Sequence, residues 1–493
     1  TRVAPARLDE IAGPGSASRE LIRSQAAVLQ SYWLKEHLIT TLSWRRDEDF
    51  FVNQTIAFTA NPRNPNDPGR ARFGFNDFSF FGGTPPPFVS KEIKSVGAVL
   101  RWPSQWPSWR LPAGFDLSVF VNRSENFTPL GGRINAFGEA WQSPAGKTKE
   151  YGFNLSGWHD KLTLRVNWFE TSIVGASSSP TNYTIATVNS VLQTAATWAV
   201  EANANPQLAS LRAAQLNLLF SALPANYRDL YQFRVSGTAP GIAVSGSTSS
   251  GLSGSTDTRD FVAKGTEVDL VFNPTSRWRI LANVARQETV QSNSYPFTRR
   301  FVQVMKPVWD QLSNVPRGSY PPGFQPGATL PANTQTYGQW LDINVYVPLT
   351  TALATDGAVS AEQRKWRSNL ITNYSFGSDS IFGPRLKGFG IGGGIRWQDK
   401  VGIGYPTSRK PDGSVIIDVA HPYYGPADTS VDAWISYERA IWQKRIRWKV
   451  QINGRNLLAE KDLIPVTVQP WGEVATARIP PERRWYLTNT FSF

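Results

Sequence analysis

The sequence predicts an all-β fold, a transmembrane antiparallel β-barrel of about 14 strands that carries long, helix-containing loops on one side. Three observations lead to this fold class. Segments of about ten residues alternate between apolar and polar side chains, which makes them longer than an ordinary strand. Tight turns alternate along the chain with long connections. The chain also contains 19 tryptophans, a residue that is enriched at membrane–water interfaces.

The alternation assigns a face to each side chain. In KLTLRVNWFE, Leu164 and Val166 share one face, whereas Arg165 and Asn167 share the other. A bilayer accepts strands only in a closed barrel, because every backbone polar group must be paired there. The apolar face is therefore expected to meet lipid, and the polar face to line the lumen. The residues predicted to face the lumen are Asp116, Asn154, Arg165, Asn167, Glu267, Asp269, Arg396, Asp432, Glu438, Arg447 and Lys449.

The connections between strands predict a barrel with two different rims. Residues 150–171 read as one hairpin and residues 266–288 as another. The short turns at 158–161, 273–277 and 440–444 are expected on one rim. The long connections, roughly 173–260, 290–362 and 405–427, are expected on the other. Within these long connections, 187–223 and 298–312 have the composition and spacing of amphipathic helices.

The stretch GFGIGGGIRW, residues 388–397, contains the spacing G-x-G-x-x-G that is typical of dinucleotide-binding loops. That motif needs a following helix, and a loop follows here instead. Phe389, Ile391 and Ile395 alternate with glycines, which predicts a strand with one glycine face. Such a face indicates a bend or the close approach of another backbone. On the lumen side, a plug would supply that backbone.

Composition excludes several classes of function. The chain has no cysteine, and its three histidines, His37, His159 and His421, are far apart, so no metal or cofactor site is predicted. The net charge is +13, but the basic residues are scattered and nucleic acid is not an expected partner. A soluble carbohydrate-active enzyme would need two carboxylates. Glu267 and Asp269 are candidates, but their place on one alternating strand favours lumen lining.

The C-terminal sequence RRWYLTNTFSF alternates and ends on phenylalanine. It resembles the signal by which outer-membrane barrels are recognised for insertion, and Trp485, Leu487, Phe491 and Phe493 would carry that signal. Further stretches resemble TonB-dependent outer-membrane receptors in the order in which such receptors have them. These stretches are LITTLSWRRDEDF, GKTKEYGFNLSGWHDKLTLRVNWFET, GFGIGGGIRW and VQINGRNLLAEKDLIPV.

The resemblance runs from about residue 30 to residue 493. It implies that the chain is the C-terminal barrel portion of such a receptor, with about 14 strands out of about 22 and with the plug outside residues 1–493. It implies a bacterial outer-membrane protein, not an enzyme, that binds a scarce solute such as a siderophore, haem, cobalamin or a glycan. The expected partners are the lipid bilayer, an N-terminal plug, the TonB complex and the barrel-assembly machinery.

The alternative is a passive porin of about 14 strands, which would conduct ions without energy. Closure of the barrel bears on this alternative. In a complete barrel of that size, residues 485–493 would pair with residues 32–46. In a truncated receptor, the last strand would keep an unpaired edge, which lipid does not tolerate. Truncation is the expectation, because the resemblance implies more strands than the sequence provides.

Overall fold

The fold is described from a computed structural model of the chain. It describes residues 16–55, 89–127, 143–178, 183–246, 256–359, 363–378, 383–409 and 415–493, apart from 105, 444 and 460, together with residues 133, 135, 137 and 139.

The described part of the chain is dominated by one antiparallel sheet of 13 strands, in the order β1-β2-β3-β4-β5-β6-β9-β10-β11-β12-β17-β18-β21. The remaining strands form small two-stranded sheets within the connections. The strands are β1 Ser16–Trp33, β2 Leu38–Thr55, β3 Val89–Arg101, β4 Asp116–Phe127, β5 Ala145–Gly157, β6 Leu162–Ser178, β7 Arg234–Ser236, β8 Ala243–Ser245, β9 Asp257–Thr275, β10 Trp278–Ser292, β11 Trp366–Ser375, β12 Phe389–Gln398, β13 Val401–Gly404, β14 Thr407–Arg409, β15 Val415–Ile417, β16 Tyr423–Gly425, β17 Asp428–Ile441, β18 Ile446–Arg455, β19 Ile464–Val468, β20 Val474–Arg478 and β21 Arg484–Ser492.

Because each strand of this sheet pairs with the strand before it, the connections alternate between two rims. One rim has the tight turns 34–37, 158–161, 276–277 and 442–445, together with 102–115 and 376–388. The other rim has the long connections, among them 179–256, 293–365 and 399–427. The predicted all-β fold, with its long, helix-containing loops on one side, is confirmed in this architecture. We call the two edges the short-turn rim and the long-loop rim.

Two neighbouring rows of side chains show how the faces of the sheet differ. Successive residues of a strand point to opposite faces, so adjacent rows belong to different faces. One row, on what we call the apolar face, consists of Leu117, Leu155, Leu164, Leu270, Ala282, Leu370, Ile395 and Val431. The next row, on what we call the polar face, consists of Ser118, Asn154, Arg165, Asp269, Asn283, Asn369, Arg396 and Ser430.

The longer helices lie in two connections of the long-loop rim. They are α1 Tyr183–Ala204, α2 Ala209–Ser221, α3 Ala225–Leu230, α4 Pro296–Gln311, α5 Tyr337–Leu341 and α6 Val347–Ala354, with one π-helical turn at Asp342–Tyr346 between the last two. Short 3-10 turns lie at Pro107–Trp109, Pro112–Gly114 and Gly383–Leu386. The predicted helical segments 187–223 and 298–312 are confirmed, except that the first is broken near Pro206, which cannot continue a helix. None of the described helices is long and apolar enough to cross a membrane.

The two outermost strands of the sheet are β1 and β21. Residues 484–492 pair with β18, and no ladder joins them to β1 or β2 among the described residues. The partner expected in a complete 14-stranded barrel is residues 32–46. Of these, residues 32–33 belong to β1 and pair with β2, and residues 38–46 belong to β2 and pair with β1 and β3. The side chains of Trp485 and Leu487 are 64% and 67% exposed. The sheet thus has 13 strands where the sequence predicts about 14.

Candidate functional site

The strand registers bring all of the predicted lumen-facing residues onto the polar face. Asp116 pairs with Ser156, and Asn167 pairs with Glu267. Each pair lies two residues along the strands from the row of Asn154 and Arg165, so its side chains are on the same face. The remaining members, Asp432, Glu438, Arg447 and Lys449, follow the same alternation in β17 and β18. The registers show that these side chains share one face. That this face lines a lumen remains a prediction.

Hydrogen bonds between neighbouring strands cross the polar face. Asn283 donates to the Asp269 carboxylate at 2.6 Å, and Asn167 donates to Glu267 at 3.4 Å. These two carboxylates are on one strand and face the same way, and each is engaged by an amide. The pair is therefore arranged as part of a polar wall rather than as an acid and a base on opposite sides of a substrate bond.

The C-terminal part of the polar face contains two ion pairs. Arg396 lies 3.0 Å from Asp432 on the neighbouring strand, and Arg447 lies 3.5 Å from Glu438. Both arginines are more than half exposed, so the two pairs contribute little to stability. Their guanidinium groups stay accessible to an anionic solute.

Gly392, on the glycine face of β12, lies beside Trp434, on the polar face of the next strand. The approach of a plug backbone to this face remains a prediction. A Cβ atom at Gly392 would lie 2.3 Å from the Trp434 indole. That indole donates to the Asn373 side chain at 3.0 Å. The glycine face therefore makes room for a tryptophan on the polar face.

Aromatic side chains also stand on the polar face, among them Trp434 and Phe120. Trp434 stands between Asp432 and Ser436 in the alternation but escaped the sequence analysis, because its side chain is apolar. Phe120 follows Asp116 and Ser118 on this face, and the Arg165 guanidinium lies 5.2 Å from its ring. A cation over an aromatic face is stabilised by the ring quadrupole.

Helices α1–α6 and the connections between them, residues 183–230 and 296–354, form what we call the helical cap. Its core is apolar and well packed, with Trp198, Tyr231, Phe301, Met305 and Tyr337 fully buried. The three shortest helices, α3, α5 and α6, would not be stable alone in water, because isolated helices of fewer than about 12 residues are at best marginal. The cap is held together because apolar side chains from its two segments, 183–230 and 296–354, pack into one cluster.

A buried ion pair lies in the helical cap. Arg212 is fully buried, and its Nε donates to the Glu201 carboxylate at 2.6 Å. Its other nitrogens donate to Gln215 at 2.8 Å and to the Gly318 carbonyl at 2.7 Å. The guanidinium also lies 4.2 Å from the Tyr320 ring. Desolvation lowers the pKa of Arg212 from its usual value, and the Glu201 carboxylate opposes that shift. The pair joins α1 and α2 to the segment after α4.

The helical cap is attached to the sheet at the long-loop rim. Asp257, at the start of β9, is buried and accepts hydrogen bonds from the backbone N–H of Thr298 at 2.8 Å and from its hydroxyl at 2.7 Å. It therefore caps the first turn of α4. Arg300 of the same helix forms a bidentate pair with Glu139, at 2.8 and 2.9 Å. This Arg300 hydrogen bond is the main cause that lowers the pKa of Glu139.

The described residues contain no group of three or more histidines, aspartates or glutamates that could hold a metal ion. The candidate site presents charged and amide groups on the polar face, with the helical cap at the rim. The predicted insertion-signal residues Trp485, Leu487 and Phe491 pair with Gly454, Ile452 and Trp448 on the apolar face. Phe493 follows the end of β21 and is 97% exposed.

A continuous antiparallel sheet with one apolar face, one polar face and two unlike rims is the wall of an antiparallel β-barrel of the transmembrane type. No protein-family profile and no curated protein sequence matches the chain. Solved outer-membrane receptors have a similar arrangement over nearly all of this chain.

One of these structures is BauA, the ferric preacinetobactin receptor from Acinetobacter baumannii. It is 11% identical with a TM-score of 0.49, over 97% of this chain and 44% of that chain. The ferric-catecholate import receptor Fiu from E. coli K12 is 11% identical with a TM-score of 0.44, over 96% and 45%. The ferripyoverdine receptor of the Pseudomonas aeruginosa outer membrane is 10% identical with a TM-score of 0.41, over 96% and 48%. The chain thus spans just under half the length of each of these receptors.

Proposed function

We propose that this chain is the barrel portion of an outer-membrane receptor that takes up a scarce solute in a TonB-energised process. The observation that carries the proposal is the contrast between neighbouring rows of the sheet. The row of Leu155 and Leu164 is apolar across eight strands, and the adjacent row of Asn154 and Arg165 is polar across the same strands. A wall with lipid on one side and a water-filled lumen on the other requires this pattern.

The rest of the proposal is supported by the sequence motifs and by the position of the helical cap. The ordered stretches that resemble TonB-dependent receptors run along the same sheet, from β2 to β21. A cap fixed to the long-loop rim by Asp257 is placed where a solute would enter a barrel. The solute is a siderophore, haem, cobalamin or a glycan. The plug, the TonB complex and the barrel-assembly machinery would be the partners, the last through Trp485, Leu487, Phe491 and Phe493.

The experiment compares solute uptake by cells with ion conductance in a planar bilayer, and it uses the complete product of the gene. Cells that produce the protein, and cells that lack it, are supplied with labelled ferric siderophores, haem, cobalamin and oligosaccharides, with and without a protonophore. We expect uptake of one solute class that requires the protein and stops with the protonophore. The purified protein in a planar bilayer should show no steady ion conductance. Uptake that persists without energy, together with steady conductance, would establish the passive porin instead.

A further inference from the structure

We propose that the short-turn rim carries a carbohydrate-binding site, formed by the connection between β3 and β4 and by a polar groove beside it. The indole rings of Trp106 and Trp109 are its apolar part, and the groove at the end of the polar face is its polar part. The site rests on the proposed function in one respect only, namely that this rim surrounds the mouth of a water-filled lumen. It lies at the rim opposite to the helical cap.

The connection between β3 and β4, residues 102–115, begins with the sequence WPSQWPSW. Prolines follow its first two tryptophans, and each proline fixes its own φ and restricts the residue before it. The chain turns twice, in the 3-10 turns Pro107–Trp109 and Pro112–Gly114. The Trp102 indole donates to the Trp109 carbonyl at 2.7 Å, which ties the two ends of the aromatic segment together. The loop is therefore arranged before a ligand arrives, which lowers the entropic cost of binding.

The three indole rings form one cluster with His37, on the turn between β1 and β2. Between ring centroids, Trp109 lies 5.3 Å from Trp102 and 6.4 Å from Trp106, and Trp106 lies 5.7 Å from His37. Trp106 and Trp109 are nevertheless 47% and 48% exposed. Neither of their indole N–H groups donates a hydrogen bond within the part of the chain that the structure describes. Each indole therefore offers a ligand a flat apolar surface with a polar donor at its edge.

Another exposed tryptophan of the same rim belongs to the apolar face. The Trp158 ring is stacked on Phe272 at 5.5 Å, and Phe272 pairs with Leu162 on the apolar face. The Trp106 ring instead contacts His37, which lines the groove at the end of the polar face. The cluster around Trp106 thus stands at the mouth of the lumen, apart from the aromatic belt that meets lipid.

The groove that His37 lines has a volume of about 360 Å³. Its floor is the end of the polar face, where Ser118 pairs with Arg101 on one side and with Asn154 on the other. Further polar groups come from Asp116 and from the turn between β1 and β2. The groove therefore offers hydrogen-bonding groups along its floor and its edge, next to the indole surfaces.

The charges that line the groove have both signs. Lys35 and Arg101 are accompanied by Glu36 and Asp116, and none of these four side chains forms an ion pair with another described residue. A phosphate would meet the carboxylates and an amine would meet the basic groups, so neither kind of ion is favoured. A neutral ligand with many hydroxyl groups can donate to the carboxylates and accept from the cations. A sugar ring has hydroxyl groups around its rim and C–H groups on its faces, and it therefore fits both the groove and the indoles.

The test measures binding of maltohexaose, cellohexaose and chitohexaose to the full protein by titration calorimetry. The protein is kept in lauryldimethylamine oxide, because a detergent with a sugar headgroup would compete. One variant is Trp106→Ala with Trp109→Ala, and the control is Trp158→Ala, which removes a tryptophan of equal exposure from the same rim. We expect the unsubstituted protein to bind at least one of the three oligosaccharides. The double variant should bind it about tenfold or more weakly, since two stacking surfaces are lost, and the control should bind it normally.

A second double variant, Glu36→Gln with Asp116→Asn, leaves the aromatic cluster untouched and should also weaken binding. All variants should keep the heat-modifiable mobility of a folded barrel, so a loss of binding is not a loss of fold. Absence of binding by all three oligosaccharides, or equal binding by Trp158→Ala and the tryptophan double variant, would overturn the inference. Energised solute uptake without oligosaccharide binding would refute this site and leave the proposed function standing, whereas oligosaccharide binding without energised uptake would do the reverse.

Discussion

Replacing Arg212 by methionine is expected to destabilise the helical cap by about 3 to 5 kcal/mol, the cost of breaking a buried ion pair on one side. The Glu201 carboxylate would be left in the core without its cation, and the Gly318 carbonyl would lose its donor. The cap should then open locally while the sheet stays intact. Limited proteolysis of the full protein, followed by mapping of the cleavage sites, measures this as faster cutting within residues 183–230 and 296–354.

Two variants control this prediction. Adding Glu201→Gln to Arg212→Met removes the lone charge but keeps an acceptor for the Tyr320 N–H, so part of the loss should be recovered. Lys306→Met breaks an ion pair in the same cap, with Asp310, in which both side chains are more than half exposed. An exposed pair of this kind contributes well under 1 kcal/mol. If Arg212→Met and Lys306→Met gave the same rate of proteolysis, the structural role assigned to Arg212 would be wrong.

An arginine in place of Leu155 is expected to destabilise the barrel, by up to about 2 to 4 kcal/mol, because a basic side chain on the lipid face carries a cost that rises with its depth in the bilayer. The cross-strand neighbours of Leu155 are Leu117 and Leu164, so a guanidinium there finds neither water nor a counter-ion. The measurement is the folded fraction in isolated membranes against urea, read from heat-modifiable mobility.

The matched control is the next residue of the same strand. Ser156 points to the polar face and pairs with Asp116 and Thr163. Ser156→Arg places the same side chain beside a carboxylate, and it should leave the urea midpoint nearly unchanged. A larger loss from Ser156→Arg than from Leu155→Arg would mean that the two faces have been assigned the wrong way round.

The sequence predicts the features that depend on local periodicity, namely the face on which each side chain lies and the positions of the tight hairpins. Alternation with period two fixes the face of each side chain from its neighbours alone, so Asn154 and Arg165 could be placed on the polar face without knowing which strands pair. Turn residues mark the tight hairpins in the same local way. At the turn 158–161, three successive residues, Trp158, His159 and Asp160, take positive φ angles that close the hairpin.

What could not be predicted depends on contacts between distant segments. The glycine at 392 suggested a close neighbour, but only the register of β12 with β17 identifies it as Trp434. The Glu201–Arg212 pair becomes buried only because the segment around Tyr320 folds over it, more than 100 residues further along the chain.

The most direct test of the central claim is a scan of solvent and lipid accessibility along β6. The chain has no cysteine, so single cysteines at positions 162–169 can be spin-labelled without background. In bilayers, we expect labels at Leu162, Leu164, Val166 and Trp168 to collide with dissolved oxygen, as lipid-exposed groups do. Labels at Thr163, Arg165 and Asn167 should collide instead with a water-soluble nickel complex. An accessibility without this period of two, or one with the two reagents exchanged, would contradict a wall that faces lipid with its apolar face and a lumen with its polar face.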